Sequence, residues 1–371
     1  MHRTLLATAA LTMTLLAGPA AATSDEAVQQ VVARHVKEIV PADGNGGVAV
    51  AVLIEGRTLF FNEGFADRAS RRPITSDSLV NLASLRKVFE AILLAQGVRE
   101  GKVALDDPAA KYIPELARGG DFRRVTLGQL ATHTSGLLLP QDHPPWPDWG
   151  YTRAEFIGAL NAWKADKEHE PGRQHLYTHA GYVVLQLALE RALGAPIDEL
   201  IGERILRPLG MSSTVLPHGG GNSIGELSPD VRRRAVQGYD PDGKAHGTPG
   251  EQESFYQFPG AGKIYSSVRD MSVLIAAHLG DVPVDQSLRE AMELAVQGIF
   301  AITPRNQQAL AWEVNDEDGP RIVEKHGGLW NGSGHIAMMP VQKLGIVILT
   351  NRGNQPVQEV SRAIMRDLAR P

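Results

Sequence analysis

The sequence predicts an α/β lobe, built on an antiparallel sheet flanked by helices, joined to an all-helical lobe. Three observations predict it. Segments of strand composition cluster at the two chain ends, at Gly46 to Ile54 and Thr58 to Asn62, and again at Leu310 to Val314, Arg321 to Lys325, His335 to Met339 and Leu344 to Thr350. Segments with helical apolar spacing fill the middle. The chain has 371 residues, 43% of them hydrophobic, and no cysteine, so a large core and not disulfides must hold it together. One sheet made from both ends then carries a helical insertion. The expected division is an α/β lobe at about 23–100 and 260–371 and a helical lobe at about 101–259. The crevice between the lobes is the natural place for a ligand.

Met1 to Ala22 has the form of a secretory signal. Arg3 beside His2 is a basic start, Leu5 to Gly18 is apolar but too short to span a bilayer, and Ala20-Ala21-Ala22 is a small-residue cleavage site. The mature chain is therefore expected to begin at Thr23 in the periplasm. No cysteine stands at the cut to carry a lipid, and no later apolar run is long enough to cross a membrane, so no membrane anchor is expected. Net charge is −5, and the longest basic run is Arg232-Arg233-Arg234. That pattern argues against nucleic acid or an anionic membrane as partner and leaves a small-molecule substrate, with a monomer expected.

Thr23 to Val40 reads as an amphipathic helix closing at Pro41, and Glu55-Gly56-Arg57 as the turn of a hairpin. Leu85, Val88, Phe89, Ile92 and Leu93 have helical spacing and Glu100-Gly101 is a stop, so Ser84 to Lys87 reads as the first turn of a buried helix. Thr126 to Gly136 reads as a helix ending at glycine, Leu137 to Gly150 as a loop, and Tyr151 to Lys164 and Gly181 to Leu193 as further helices. Ile205 to Thr214 is a helix end and turn. Residues 217–260 read as long surface loops, Val268 opens another helix, and Val357 to Leu368 closes the chain as a helix.

On the helix after residue 83, Ser84 and Lys87 are three apart and share a face. A serine hydroxyl needs a base to become a nucleophile, and a desolvated lysine or one among other cations can be that base. Tyr177 precedes a helix and can relay protons beside ammonium groups, whose charge lowers a phenol pKa. Lys325, His326, Gly327 and Gly328 end a strand, with a turn expected at Gly332-Ser333-Gly334. Lys325 can supply a second ammonium and hold a substrate carboxylate.

The order Ser-x-x-Lys, then a tyrosine motif at Tyr177-Thr178-His179, then Lys325-His326-Gly327 resembles that of the serine β-lactamases and penicillin-binding proteins. In detail the chain is similar to class C β-lactamases and their esterase and peptidase relatives. Leu105 to Pro108, Lys111-Tyr112, Leu130 to Gly136, Val323 to Gly327 and Gly345 to Asn351 match the family's flanking segments. The resemblance implies the β-lactamase/transpeptidase-like two-lobe fold. It implies that Ser84 is acylated, that Lys87 and Tyr177 share the proton work, and that Lys325 holds the charge state of the tyrosine and the substrate carboxylate. It further implies an oxyanion hole at the Ser84 and Gly328 N–H groups, and a substrate-amide contact from Gln141. The implied substrate is a β-lactam, with carbapenems such as imipenem among the candidates, and no cofactor is required. The alternatives are a serine esterase or D-amino-acid peptidase with the same acylation step, or a slow penicillin binder or sensor without useful turnover.

Two departures stand out. His179 replaces the family's usual asparagine and His326 its usual threonine or serine. Two imidazoles in one pocket raise zinc as a ligand, but a firm zinc site needs three protein ligands or more, so a structural or catalytic role is preferred for both. His133, His143, His175, His218 and His246 show no metal-ligand spacing and are read as surface or helix-packing residues.

Overall fold

The computed structural model describes residues 23–142, 150–216, 228–250, 263–317 and 319–369. The chain opens with α1, Asp25–Val36, capped by the Ser24 side chain. Strands β1, Gly47–Ile54, and β2, Arg57–Asp67, form a hairpin through Glu55-Gly56, followed by the short β3, Arg72–Pro73, and β4, Val80–Asn81. A 3-10 turn, Ala83–Arg86, leads into α2, Lys87–Arg99. The helical lobe follows, with α3, Leu127–Ala131, α4, Arg153–Ala162, and α5, His179–Leu193. Next, α6, Ile197–Ile201, runs through a widened turn into α7, Arg207–Leu209, and then come α8, Pro229–Arg234, and a ribbon of β5, Gly238–Tyr239, with β6, Ala245–His246.

The chain returns through β7, Tyr265–Ser266, which pairs with β4. Helices α9, Val268–Leu279, and α10, Gln286–Ala295, precede β8, Phe300–Thr303, β9, Asn306–Gln308, and β10, Glu313–Asn315. Three long strands follow: β11, Ile322–Leu329, β12, Gly332–Met339, and β13, Leu344–Thr350; α11, Val357–Leu368, ends the chain.

One antiparallel sheet of nine strands runs β3-β2-β1-β13-β12-β11-β10-β9-β8. Its centre joins the first strand to the last, Val50 opposite Ile348. Both faces are buried, which is why β1 and β13 read as unbroken apolar runs. Side chains alternate across the sheet. Val48, Val50, Val52 and Ile54 pack under α1 and α11, while Ala49, Ala51 and Leu53 join the larger core shared with α2 and the helical lobe. Helix α2 is buried from Lys87 to Gly97 and packs against α10, α5 and α6, so it is apolar nearly all round and not amphipathic. Among the described residues no helix is long and apolar enough to cross a membrane.

Several expectations need correcting. The helix expected over Thr126 to Gly136 stops at Ala131. There Thr132 Oγ1 bonds back to the Gly128 carbonyl at 2.8 Å, and His133 takes φ +54°, which a helix cannot continue through. The strand expected at Leu310 is only Glu313–Asn315, because Ala311 sits at φ +62° and gives its N–H to the Ala131 carbonyl across the lobes. Strand β11 does not end at Gly328, and its turn is Trp330-Asn331, with Gly332 and Gly334 already inside β12. Gly327 and Gly334 face each other in the ladder, where the nucleophile turn abuts the sheet. A Cβ at Gly327 would lie 2.6 Å from the Leu82 carbonyl oxygen, and one at Gly334 would lie 3.1 Å from Leu85 Cδ1. These glycines serve close approach, and the sequence signal for a turn was the wrong reading of them. Within 217–260, the described part contains α8 and the β5–β6 ribbon in place of loop alone.

Candidate active site

The nucleophile turn is bent by its own sequence. Ala83 has φ +49°, and its N–H is held at 2.9 Å by Asn81 Oδ1. That bend lifts Ser84 onto the 3-10 turn ahead of α2, and not onto the α-helix itself. Ser84 Oγ then meets two groups at once: Lys87 Nζ at 3.0 Å and the Tyr177 hydroxyl at 2.6 Å, both in position to donate. An exposed helical face cannot explain this pair, because Lys87 is fully buried.

Burial lowers the Lys87 pKa to about 7, with Arg86 pushing the same way and Glu90 and Asp142 opposing. Its ammonium nitrogen lies 5.2 Å from the ring centre of Tyr177 and 5.4 Å from that of Tyr182. Lys325 Nζ approaches the Tyr177 ring from elsewhere, also at 5.2 Å, and lies 3.8 Å from Glu313 Oε1. Burial raises the Tyr177 pKa, and the opposing pull of Lys325 and of the Ser84 hydrogen bond does not overcome it. Lys325 pulls in the direction expected of a positive neighbour, but burial outweighs it, and the tyrosine hydroxyl donates to Ser84 Oγ.

Ser84, Tyr177, His179, Glu313, Lys325, His326, Gly328 and Gln358 line one cleft of about 380 Å³. His179 opens α5, with its N–H on Asp142 Oδ1 at 2.6 Å and the Ala180 N–H on the same oxygen at 3.1 Å. Its ring stands edge-on to Tyr177 at 5.2 Å. Burial, then Lys87 and Lys325, hold the His179 pKa well below the usual imidazole range, so it adds no third cation. The His326 ring is open to the cleft and packs over Gly328, where a Cβ would come 3.3 Å from its Cε1. Its partial enclosure, then His335 and Lys325, push its pKa down too.

Gly327 turns its missing side chain toward Leu82 and Leu85 and does not line the cleft; its place is to let the strand lie against the nucleophile turn. The side chain of Gln141 and residues His143 and His218 lie outside the described residues. Among the described residues no three metal-ligating side chains come together, so His179 and His326 share the cleft without a third ligand.

Other residues meet this site without having been singled out. His133, read as a packing residue, stacks on Tyr177. Asp142 takes the first N–H groups of α5, and its carboxyl is pushed up by burial against those hydrogen bonds. Glu313 and Gln358 come from β10 and α11, outside every motif, and the sheet and the closing helix bring them to the cleft. His133 alone had a signal, since it lies inside the Leu130 to Gly136 segment.

Comparison with known proteins identifies the family. A profile of the β-lactamase family matches residues 28–369. A β-lactamase of Pseudomonas fluorescens is 26% identical over 368 residues, covering 91% of this chain and 97% of that protein. The D-alanyl-D-alanine-carboxypeptidase/endopeptidase AmpH of Escherichia coli (strain K12) is 29% identical over 379 residues, covering 95% and 92%. Among solved structures, a class C β-lactamase superposes with a TM-score of 0.80 at 24% identity, over 93% of this chain and 98% of its own. A β-lactamase/D-alanine carboxypeptidase from Pseudomonas syringae gives 0.79 at 23%, over 93% and 100%. The family profile runs along nearly the whole described length, and the fold is that of class C β-lactamases; the chain belongs to the β-lactamase family.

Proposed function

We propose that the protein hydrolyses β-lactams through an acyl-enzyme on Ser84. The observation that carries this reading is the double approach to Ser84 Oγ, by Lys87 at 3.0 Å and Tyr177 at 2.6 Å. Both lie within the reach that proton transfer needs. In the first half-reaction Ser84 Oγ attacks the lactam carbonyl carbon while Lys87, as the neutral amine, takes its proton. The C–N bond breaks, and the ring nitrogen receives a proton through the Tyr177 hydroxyl. Water then attacks the ester, its proton passes back by the same groups, and Ser84 is regenerated with the opened lactam released. The backbone N–H groups of Ser84 and Gly328 stabilise the oxyanion in both halves. Lys325 receives the substrate carboxylate, with Glu313 at its side balancing its charge when the cleft is empty. His179 and His326 face the variable parts of the substrate, which is where an altered range, carbapenems included, would be set. The protein acts in the periplasm after loss of residues 1–22.

A second reading has support from the AmpH relative, whose name includes D-alanyl-D-alanine carboxypeptidase. The same acylation on a D-alanyl peptide releases D-alanine, and an ester would follow the same path. Intact-protein mass over time separates these. Mature protein is mixed in turn with imipenem, a cephalosporin, a D-alanyl-D-alanine peptide and a nitrophenyl ester, with Ser84→Ala as control. A transient Ser84-dependent adduct with opened lactam in solution is the result expected. Intact lactams with peptide or ester turnover would replace the reading by the second, and an adduct lasting hours would make the protein a binder.

A further inference from the structure

Helix α2 begins with a charge cluster that the acylation chemistry leaves unused. Arg86 ends the 3-10 turn, Lys87 and Glu90 lie in the first turn of α2, and each is at most 1% exposed. Arg86 Nε donates to Glu90 Oε1 at 2.8 Å, and Arg86 Nη2 donates to Gln186 Oε1 on α5 at 3.1 Å. Gln186 Nε2 passes the chain on to Glu190 Oε1 at 2.9 Å, which also takes the Ile197 N–H at 3.1 Å. The second oxygen of Glu90, Oε2, is buried with no hydrogen-bond partner.

Such a pair is poor value as structure alone. Replacing a buried ion pair by apolar side chains is commonly neutral or stabilising, and an unpartnered carboxylate oxygen in the interior adds to the cost. An arginine keeps its charge in any surroundings. Next to Lys87 it disfavours a second ammonium, and Glu90, three residues on and on the same face, favours one. We propose that the Arg86–Glu90 pair is the charge-balancing element that keeps Lys87 a neutral but still basic amine against Ser84, with Glu90 its positioning residue.

The other charged or titratable groups around Lys87 are accounted for. Tyr177, His179 and Tyr182 face it from the start of α5, His133 from the turn after α3, Asp142 from its 3-10 turn and Lys325 from β11. Tyr182 gives its hydroxyl to the Ala131 carbonyl at 2.8 Å and is not free to answer Glu90. Helix α10 meets α2 through Leu288, Ala291, Met292 and Ala295, and its ion pair, Glu290 with Arg99, lies at the far end of the helix. Burial raises the Glu90 pKa against the pull of Arg86 and Lys87, so Glu90 and Lys87 titrate as a coupled pair.

The inference rests on Lys87 as the base, and one experiment separates the two. The rate of Ser84 adduct formation with a cephalosporin is followed by mass from pH 4.5 to 9 in the native protein, Glu90→Gln, the double variant Arg86→Gln/Glu90→Gln and Lys87→Ala. Glutamine keeps an acceptor for Arg86 and removes only the charge. The acidic limb of Glu90→Gln should move about one pH unit lower, while the double variant, which removes both signs, should return to within about 0.3 unit of the native limb. An unmoved limb in Glu90→Gln, with only a lower melting temperature, would make the pair purely structural. Should Glu90→Gln not fold, Arg86→Gln alone takes its place: its acidic limb should move about one pH unit higher, and an unmoved limb there overturns the inference. Normal acylation by Lys87→Ala instead removes the base assignment itself.

Discussion

The ring of His133 lies against the ring of Tyr177, centroids 4.1 Å apart and planes 29° from parallel. The same histidine takes the Thr178 N–H on Nδ1 at 3.3 Å and the Leu176 N–H on its carbonyl at 2.7 Å. It thus grips the tyrosine by its face and by both neighbouring backbone amides. Burial, then Lys325 and Lys87, hold it neutral, so it adds no charge to the site. His133→Ala should lower kcat roughly 10- to 100-fold with a small change in KM, because the loss is in the placement of a proton donor. His133→Phe, which restores a ring, should recover part of that. Steady-state kinetics on both variants check it, and an equal loss in the two would assign the effect to the Thr178 hydrogen bond.

Lys87→Ala should reduce Ser84 adduct formation by at least about 10³-fold, the scale of a lost general base. Ser84→Ala should show no adduct at all. Time-resolved intact mass with one cephalosporin reads both.

The pH profile follows from the Lys87 pKa of about 7. The base works as the neutral amine, so acylation should be slow at pH 5, rise about tenfold per unit, and level off above pH 7. Burst amplitudes across that range provide the measurement; a flat profile would place the proton elsewhere.

Glu324 gives a stability prediction. It is fully buried on β11, where Arg362 and Gln358 of α11 bond to it and His335 Nε2 lies 3.3 Å away, off the axis a hydrogen bond needs. Burial pushes its pKa up, but His335 and Arg362 together outweigh that and hold it at about 2, below its usual 4.5. A depressed carboxyl contributes stability that is complete above the unfolded value and lost as pH falls toward the folded one. Glu324→Gln should therefore cost on the order of 3 kcal/mol at pH 7 and progressively less from pH 4.5 down to 2. Urea unfolding at pH 7 and pH 3 measures the difference.

His179→Asn and His326→Thr should shift selectivity more than rate. Neither nitrogen of a neutral imidazole can both donate and accept, as a side-chain amide does with its two ends. His179→Asn should raise kcat/KM for cephalosporins relative to a nitrophenyl ester by about tenfold, and paired kinetics on the two substrates decide it. An unchanged ratio would leave His179 a substitute that only caps and packs.

Much of this architecture was readable because it depends on local pattern. The runs at Leu344 to Thr350 and Val357 to Leu368 fixed β13 and α11 to the residue, since buried strands and amphipathic helices write their period into the chain. Helix α10 and the β8–β9 hairpin went unread, and β8 explains why: Phe300, Ala301, Ile302 and Thr303 are an edge, half exposed, without clean alternation. The glycines of Gly327 to Gly334 misled, because close packing and turning use the same residue. In the site, the motif residues were visible by spacing, whereas Glu313, Gln358 and the face of His133 are products of tertiary contact between separate elements.

The pairing of β1 with β13 has a consequence for how the molecule comes into being. A growing chain presents Ser84, Lys87 and Tyr177 early, yet β1 keeps one open edge until the last strand arrives some three hundred residues later. Every intermediate that lacks β13 therefore carries an apolar strand with unsatisfied amides, and those shorter than residue 322 also lack the strand that bears Lys325. Such an edge invites pairing with another chain, and ladders between distant segments form slowly. The enzyme is thus inert until nearly its full length is available, and the same interval is when it is most exposed to aggregation.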